Sequence, residues 1–320
     1  MSKLIVKGPT PLKGEITVAG SKNHVLPMMA ACLLVDGKTV LHNVPHISDV
    51  EVMADMFAEL GVTTERNGTD YMIDASRLHT VETPLQDARR MRASVLVLGG
   101  AIGRLDSIAI ARPGGDIIGA RSLGVHNKIF EALGLRVQSL DDGVAVGGNV
   151  DGNHVLNAEL GVTPTENAIM AAILGRGTTE IRLAASEPHV VALCEFLNGL
   201  GAQISGVGTF VLSIQGVERL QEGEGTIIPD QLEAGTLAIA VAASQGDVVI
   251  HEFVAKDHDM LLLKFSEMGV NYHMVDQRTI HIMPAEAPLK AVNIQTQPYP
   301  GLPSDLQAPF AVLMTQAEGK

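Results

Sequence analysis

Three cations stand where small or polar residues give way to an apolar, helix-like run. They are Lys22 in Gly20-Ser21-Lys22-Asn23, Arg92 in Arg90-Met91-Arg92-Ala93-Ser94, and Arg121 at the end of a glycine-containing stretch over residues 112–121. A helix start presents unpaired N–H groups and a partial positive charge, so it holds anions and disfavours a lone cation. Lys22 in a first turn therefore calls for an anionic partner. Three such cations in a chain of net charge −13 read as ligands for phosphate. Further helix starts occur at Thr163-Pro164-Thr165-Glu166-Asn167, Pro229-Asp230-Gln231-Leu232-Glu233 and Pro303-Ser304-Asp305-Leu306-Gln307. Asp230 with Glu233, and Ser304 with Gln307, have the spacing of a capping box, and Pro164 suits a first turn. Each of these taken singly is an ordinary cap. Pro113-Gly114-Gly115 predicts a flexible turn, with Asp116 in it and Arg121 just after it.

These starts belong to a repeat. An Ala-rich helical run, a glycine with a polar neighbour, and a β-like run recur at Gly37, Gly103, Gly177, Gly246 and Gly319. A second block, an amphipathic helix ending in Gly and followed by two strand-like runs, alternates with it at Gly61, Gly134, Gly201 and Gly269. Glycine suits the left-handed position that closes a helix, and alternating residues suit a half-buried strand. Each unit reads helix–strand–helix–strand–strand with a further strand leading in. Four units are whole, and a fifth supplies only its first helix before Glu318-Gly319-Lys320. The pattern predicts that the chain stops before its repeat architecture is complete. The opening segment, residues 4–18, reads as a strand pair that needs a sheet to join.

Composition limits the partners. With 46% hydrophobic residues, 33 glycines and 18% charged residues in 320, the chain is built for two well-buried domains. Phosphate-backbone binding needs a basic field, so the acidic balance excludes nucleic acid as a partner. Cys32 and Cys194 lie in apolar helical stretches and read as small core residues. No signal-type apolar core opens the chain and no apolar run reaches membrane-spanning length, so a cytoplasmic location without membrane contact is expected. The eleven histidines lack metal-ligand spacing. Asp257-His258-Asp259 reads as a helix cap and Gly206-Val207-Gly208 as a hairpin turn.

The motifs taken together resemble those of the enolpyruvyl transferases, in the branch that acts on UDP-N-acetylglucosamine. The matching pieces are GSKN at 20–23, MRAS at 91–94, PGGDIIGAR at 113–121, SEP at 186–188, PDQLEAGT at 229–236 and LPSDLQA at 302–308. They occur in family order and cover the chain. Asn23 after the lysine separates this branch from the shikimate-pathway one, which has Ser there. The resemblance implies an inside-out α/β barrel of repeated βαβαββ units in two domains. One covers residues 22–229. By the same resemblance the other, residues 1–21 with 230–320, is expected to be incomplete, and the active site is expected in the cleft between the two.

The implied reaction moves enolpyruvyl from phosphoenolpyruvate to the 3′-hydroxyl of UDP-N-acetylglucosamine and releases phosphate, the first committed step of peptidoglycan synthesis. By the family pattern the catalytic residues are Lys22, Asp116, Arg121 and Asp305. Asp305 serves as base or sugar-orienting group, and Lys22 and Arg121 hold the phosphate of phosphoenolpyruvate. Asn23 and Arg92 contact the nucleotide sugar. Ser122, Leu123, Gly124 and Val125, with Gly161, Val162 and Thr163, cradle uracil and diphosphate, and Asp230 and Glu233 complete the substrate-binding set. No metal or organic cofactor is implied.

Asp116 stands where the family usually has Cys. Their ordinary pKa values are about 3.9 and 8.5, so an Asp acting as proton donor near neutrality needs burial or a neighbouring anion. It cannot form the thioether by which fosfomycin inactivates Cys-bearing members. Other departures are Ser122 for Pro, Gly124 for an acidic residue, Ser186 for Arg, and Thr163-Pro164 for Gly-Ala. By the family pattern roughly a hundred C-terminal residues, with arginines that clamp phosphoenolpyruvate, are absent. The alternative expectations are a nucleotide-sugar-binding remnant without turnover, and an enolpyruvyl transferase with another acceptor.

Overall fold

The computed structural model describes residues 3, 5, 7, 8, 10–115 and 123–320. The chain divides into two compact units, Gly20–Ile228, and Met1–Ala19 together with Pro229–Lys320. The helices are α1 (Lys22–Cys32), α2 (Ser48–Glu59), α3 (Leu96–Ile102), α4 (Gly124–Ala132), α5 (Val162–Ile173), α6 (Pro188–Gly199), α7 (Gln231–Ala243), α8 (Asp259–Met268) and α9 (Gln307–Met314).

Within Gly20–Ile228 the repeat becomes three modules, each with its own sheet. In the first, Lys38–His42, Asp70–Asp74 and Thr63–Asn67 pair antiparallel in that order, and Gly223–Thr226 adds in parallel to Lys38–His42. In the second, Gly143–Gly147 lies between Ser107–Ala111 and Arg136–Leu140. The third has the order Gln203–Ser205, Val211–Gln215, Thr178–Arg182, His154–Leu156, with the last pair parallel. Residues 206–210 turn between antiparallel strands, as expected of Gly206-Val207-Gly208.

The helices, not the sheets, form the centre of this unit. Every residue of α1 from His24 to Cys32 is buried, and every residue of α5 from Pro164 to Ile173. A helix that is apolar all round has no face for water and must be enclosed. α1 packs against α2, α3 and α6, and α5 against α3, α4 and α6. The strands bury one face only: Val40, Met72 and Ala145 are half-exposed between the buried Thr39 and Leu41, Tyr71 and Ile73, and Val144 and Val146. Alternation of this kind belongs to a sheet with one solvated side. The four glycines that close the second helix of each unit, Gly61, Gly134, Gly201 and Gly269, have φ of 78°, 86°, 103° and 80°. Each accepts the left-handed turn that a Cβ would strain.

In the other unit one sheet runs Lys13–Thr17, Asp247–His251, Thr279–Met283, Asn271–Asp276. The opening segment contributes a single strand among its described residues, not the pair expected, and this strand joins Asp247–His251 in parallel. α7, α8 and α9 enclose a core containing Phe253, Phe265 and Phe310, the last two edge to face with ring centroids 6.1 Å apart. Truncating one of these rings to Ala would cost about 3–5 kcal/mol. Cys32 and Cys194 are both buried and free. Among the described residues no helix is long and apolar enough to cross a membrane.

Candidate functional site

The contacts of three glycines fix how α1, α3 and α5 lie. A Cβ on Gly99 would collide with Asn167, and one on Gly100 with the carbonyl of Ala30. A Cβ on Gly103 would press on Leu34 and Leu174, each at 3.2 Å. Residue numbers rise together in all three helices, so the helices run parallel and begin at the same end of the unit. Lys22 precedes Ala30 by the same eight residues as Arg92 precedes Gly100. Arg92 precedes Gly99 by seven, which matches residue 160 against Asn167 and puts Gly161 one position on. Lys22, Arg92 and the start of α5 therefore share one end. Gly99 and Gly100 let the backbones approach closely enough to bring them there.

Each start is anchored from behind. At α1, the N–H of Ser21 donates to Ile228 O at 2.8 Å, and the N–H of Ile228 donates to Nδ1 of His24 at 3.1 Å. His24 is buried, and burial followed by the nearby His189 lowers its pKa to about 3. It stays neutral and acts as a fixed acceptor, leaving Asn23 exposed beside it. Lys22 is 52% exposed, and its Nζ lies 3.1 Å from Oδ1 of Asp49 in the first turn of α2. The anionic partner expected of Lys22 is in this structure a carboxylate. The lysine is open to water and Asp49 is half-buried, so the pair contributes about 1 kcal/mol and exchanging it for a phosphate costs little.

Arg92 opens a short 3-10 turn, Arg92–Val95, which leads into α3. The hydroxyl of Ser94 lies 2.8 Å from Met91 O and 3.0 Å from Ala88 O, which share its one hydrogen and close the bend before it. The Pro-Gly-Gly turn docks on the same bend. Gly114 N–H donates to Ala88 O at 3.1 Å, and a Cβ on Gly115, whose φ is 100°, would meet Arg92 at 3.2 Å. The chain is thus brought against Arg92 just before Asp116. Asp116, Arg121 and Ser122 lie outside the described residues. Leu123 precedes α4, and Gly124 and Val125 open it.

Gly161 occupies the N-cap of α5, with Val162 and Thr163 in the first turn. Its carbonyl accepts from Nδ2 of Asn157 and from Oγ1 of Thr165, both at 2.8 Å. One turn in lies Glu166, 1% exposed, with Oε1 at 4.0 Å from Nε2 of the buried His189. Burial, then the charge of Glu187, raises the Glu166 pKa to about 8. A carboxyl group at neutral pH here is mostly protonated. Glu166, His189 and His24 were not singled out from the sequence, because nothing in their spacing distinguishes a buried titratable group from a surface one. The glutamate at the repeat-equivalent helix start was the available signal.

In the other unit, Oδ1 of Asp230 accepts from the N–H groups of Leu232 and Glu233 at 2.8 and 3.1 Å and so caps α7. The reciprocal half of the capping box is replaced: Oε2 of Glu233 accepts from Ala19 N–H at 2.9 Å, tying the opening segment to α7. Ser304 is not a cap. It is the first residue of a 3-10 turn, Ser304–Leu306, whose N-cap is Pro303, so it stands one place past the capping position and makes no side-chain capping bond. Asp305 is exposed on that turn. Asp257 likewise belongs to a 3-10 turn, and His258 before α8 makes no side-chain cap; its ring nitrogens lie 2.8 Å from Val254 O and 3.0 Å from Gln231 O.

Buried helices enclosed by half-solvated sheets, repeated in three modules, make a fold shared with the enolpyruvyl transferases. Residues 6–320 match the EPSP synthase (3-phosphoshikimate 1-carboxyvinyltransferase) family, and the chain belongs to that family. It is 41% identical, over its whole length and 76% of the relative's, to a UDP-N-acetylglucosamine 1-carboxyvinyltransferase of Desulfatibacillum aliphaticivorans. It is 38% identical, with the same coverage, to UDP-N-acetylglucosamine 1-carboxyvinyltransferase 3 of Caldanaerobacter subterraneus. In fold it is similar to the enolpyruvyl transferase NikO from Streptomyces tendae, with a TM-score of 0.84 at 22% identity over 98% of this chain and 74% of that one. EPSP synthase from Acinetobacter baumannii gives 0.73 at 17% identity, over 97% and 71%.

Proposed function

We propose that this chain transfers the enolpyruvyl group of phosphoenolpyruvate to the 3′-hydroxyl of UDP-N-acetylglucosamine, with release of phosphate. What supports this reading is the close approach of Gly99 to Asn167 and of Gly100 to Ala30, from which a common level for Lys22, Arg92 and Gly161–Thr163 is inferred. Two cations and a helix N-terminus at one end suit a substrate pair that bears three phosphates.

The sugar hydroxyl adds to C2 of phosphoenolpyruvate while the methylene carbon gains a proton. Loss of phosphate and of one methyl proton then restores the double bond. Asp305 accepts the hydroxyl proton and Asp116 supplies the methylene proton. Lys22 and Arg121 balance the phosphate charge as it develops on the leaving oxygen. Asn23 and Arg92 hold the nucleotide sugar, residues 122–125 and 161–163 hold uracil and diphosphate, and Asp230 and Glu233 complete the substrate contacts. The cytoplasm and peptidoglycan synthesis are the setting this substrate pair supplies.

Phosphate release from phosphoenolpyruvate is the test, measured with UDP-N-acetylglucosamine and, separately, with shikimate 3-phosphate as acceptor. Turnover with the nucleotide sugar alone is expected. Turnover with shikimate 3-phosphate alone would assign a different acceptor, and saturable nucleotide-sugar binding without phosphate release would make the chain a binding protein.

A further inference from the structure

Asn167, the residue after Glu166, is fully buried and makes three hydrogen bonds that together leave one arrangement of protons. The Gly99 N–H can only donate, so the carboxamide atom 3.0 Å from it is the oxygen. The NH2 group then faces Val95 O at 3.1 Å and Nδ1 of His126 at 3.0 Å. An NH2 group only donates, so Nδ1 of His126 must accept. His126 is therefore a neutral imidazole with its proton on Nε2. Burial and then the charge of Arg92 lower its pKa to about 4, in keeping with this form.

The three bonds reach three elements. Val95 and Gly99 bracket the first turn of α3, into which Arg92 leads. His126 is the third residue of α4, directly after Leu123–Val125. Asn167 itself lies in α5, one turn beyond Gly161–Thr163. One side chain thus joins the segments that carry the predicted nucleotide contacts. Gly99 is fitted to it, since a Cβ there would collide with the Asn167 oxygen.

We propose that Asn167 is a positioning residue of the nucleotide-sugar subsite, which holds His126 in its Nε2–H tautomer and thereby sets the start of α4 against the turn that carries Arg92. This rests on the functional reading above. Asp at this position has the same shape but cannot donate. It would draw the His126 proton to Nδ1 and lose Val95 O.

Two measurements on the whole chain test this. Nitrogen-15 NMR of histidine-labelled wild-type protein is expected to show Nε2 protonated and Nδ1 bare in His126, with both resonances shifting on saturation with UDP-N-acetylglucosamine. A proton on Nδ1, or resonances unmoved by bound nucleotide sugar, overturns the proposal without need of any variant. In Asn167→Asp the proton is expected on Nδ1, and KM for UDP-N-acetylglucosamine is expected to rise about 10-fold, the scale of one hydrogen bond, while KM for phosphoenolpyruvate stays within about 2-fold. Equal changes in both constants, or none, would make Asn167 structural only and overturn the proposal. Absence of saturable nucleotide-sugar binding by wild-type protein would instead sink the functional reading, and the subsite with it, whatever the tautomer.

Discussion

Oε1 of Glu166 lies 4.0 Å from Nε2 of His189, with both side chains buried among the starts of α1, α5 and α6. At that separation no direct hydrogen bond forms, and Oε1 has none from any described residue. The carboxyl is kept protonated by its surroundings, with a pKa of about 8 against an ordinary 4.5.

A raised carboxyl pKa ties stability to pH in a definite direction. The folded protein binds a proton that the unfolded chain releases between about pH 4.5 and 8. The contribution is complete below the lower value and is lost as pH rises through the upper one. Glu166→Gln keeps the shape and the neutral charge. Urea unfolding at pH 5 and pH 8 is expected to show wild-type stability falling by a few kcal/mol across that interval and the variant falling much less. Equal slopes in the two proteins would mean that Glu166 is ionised in the fold.

His24 acts on the acid side. Its pKa is lowered from 6.5 to about 3, so the unfolded chain gains a proton that the folded one refuses. Stability is complete above about pH 6.5 and declines as pH falls toward 3. His24→Gln should flatten that decline in acid unfolding followed by circular dichroism. A decline unchanged in the variant would assign the proton uptake elsewhere.

Gly100 is where α3 crosses the backbone of α1. In Gly100→Ala the new methyl meets the Ala30 carbonyl, which cannot move aside as a flexible side chain would. Thermal or urea unfolding should show a loss of about 1–3 kcal/mol. KM for the nucleotide sugar should rise as well, because Lys22 and Arg92 lose their common level. An unaltered stability would show that α1 and α3 can part to admit a methyl group without loss.

Lys22 separates stability from activity. Its pair with the half-buried Asp49 contributes about 1 kcal/mol, so Lys22→Met should unfold within about that margin of wild type. Phosphate release should nonetheless drop about 100-fold, the scale of one charged group lost from a developing anion. Loss of fold together with activity would contradict the weak pairing.

Asp116 gives a chemical prediction that needs no geometry. A carboxylate cannot form the thioether that fosfomycin makes with a thiol, so phosphate release should be insensitive to the drug, and Asp116→Cys should become sensitive and gain its mass. Covalent labelling of the wild-type loop would contradict this.

The repeat and the helix starts were legible because they follow from local chemistry. Glycines that end helices sit at left-handed φ, and strands that alternate in sequence bury one face in the structure. Asp230 caps α7 as its spacing foretold, yet Glu233 turns to Ala19, a partner more than two hundred residues away in sequence. Ser304 is not a cap because the turn begins one residue earlier than its spacing foretold, with Pro303 at the N-cap.

By itself the sequence determined the modules, their order, and which residue types stand at each helix start, since capping, periodicity and glycine conformation act over a few residues. Only the tertiary structure decided that α1, α3 and α5 run parallel with their starts at one level, that Lys22 meets Asp49, and that Glu166 and His126 are neutral. Those outcomes depend on close backbone approach at Gly99 and Gly100 and on removal of the side chains from water, which arise only when distant segments pack.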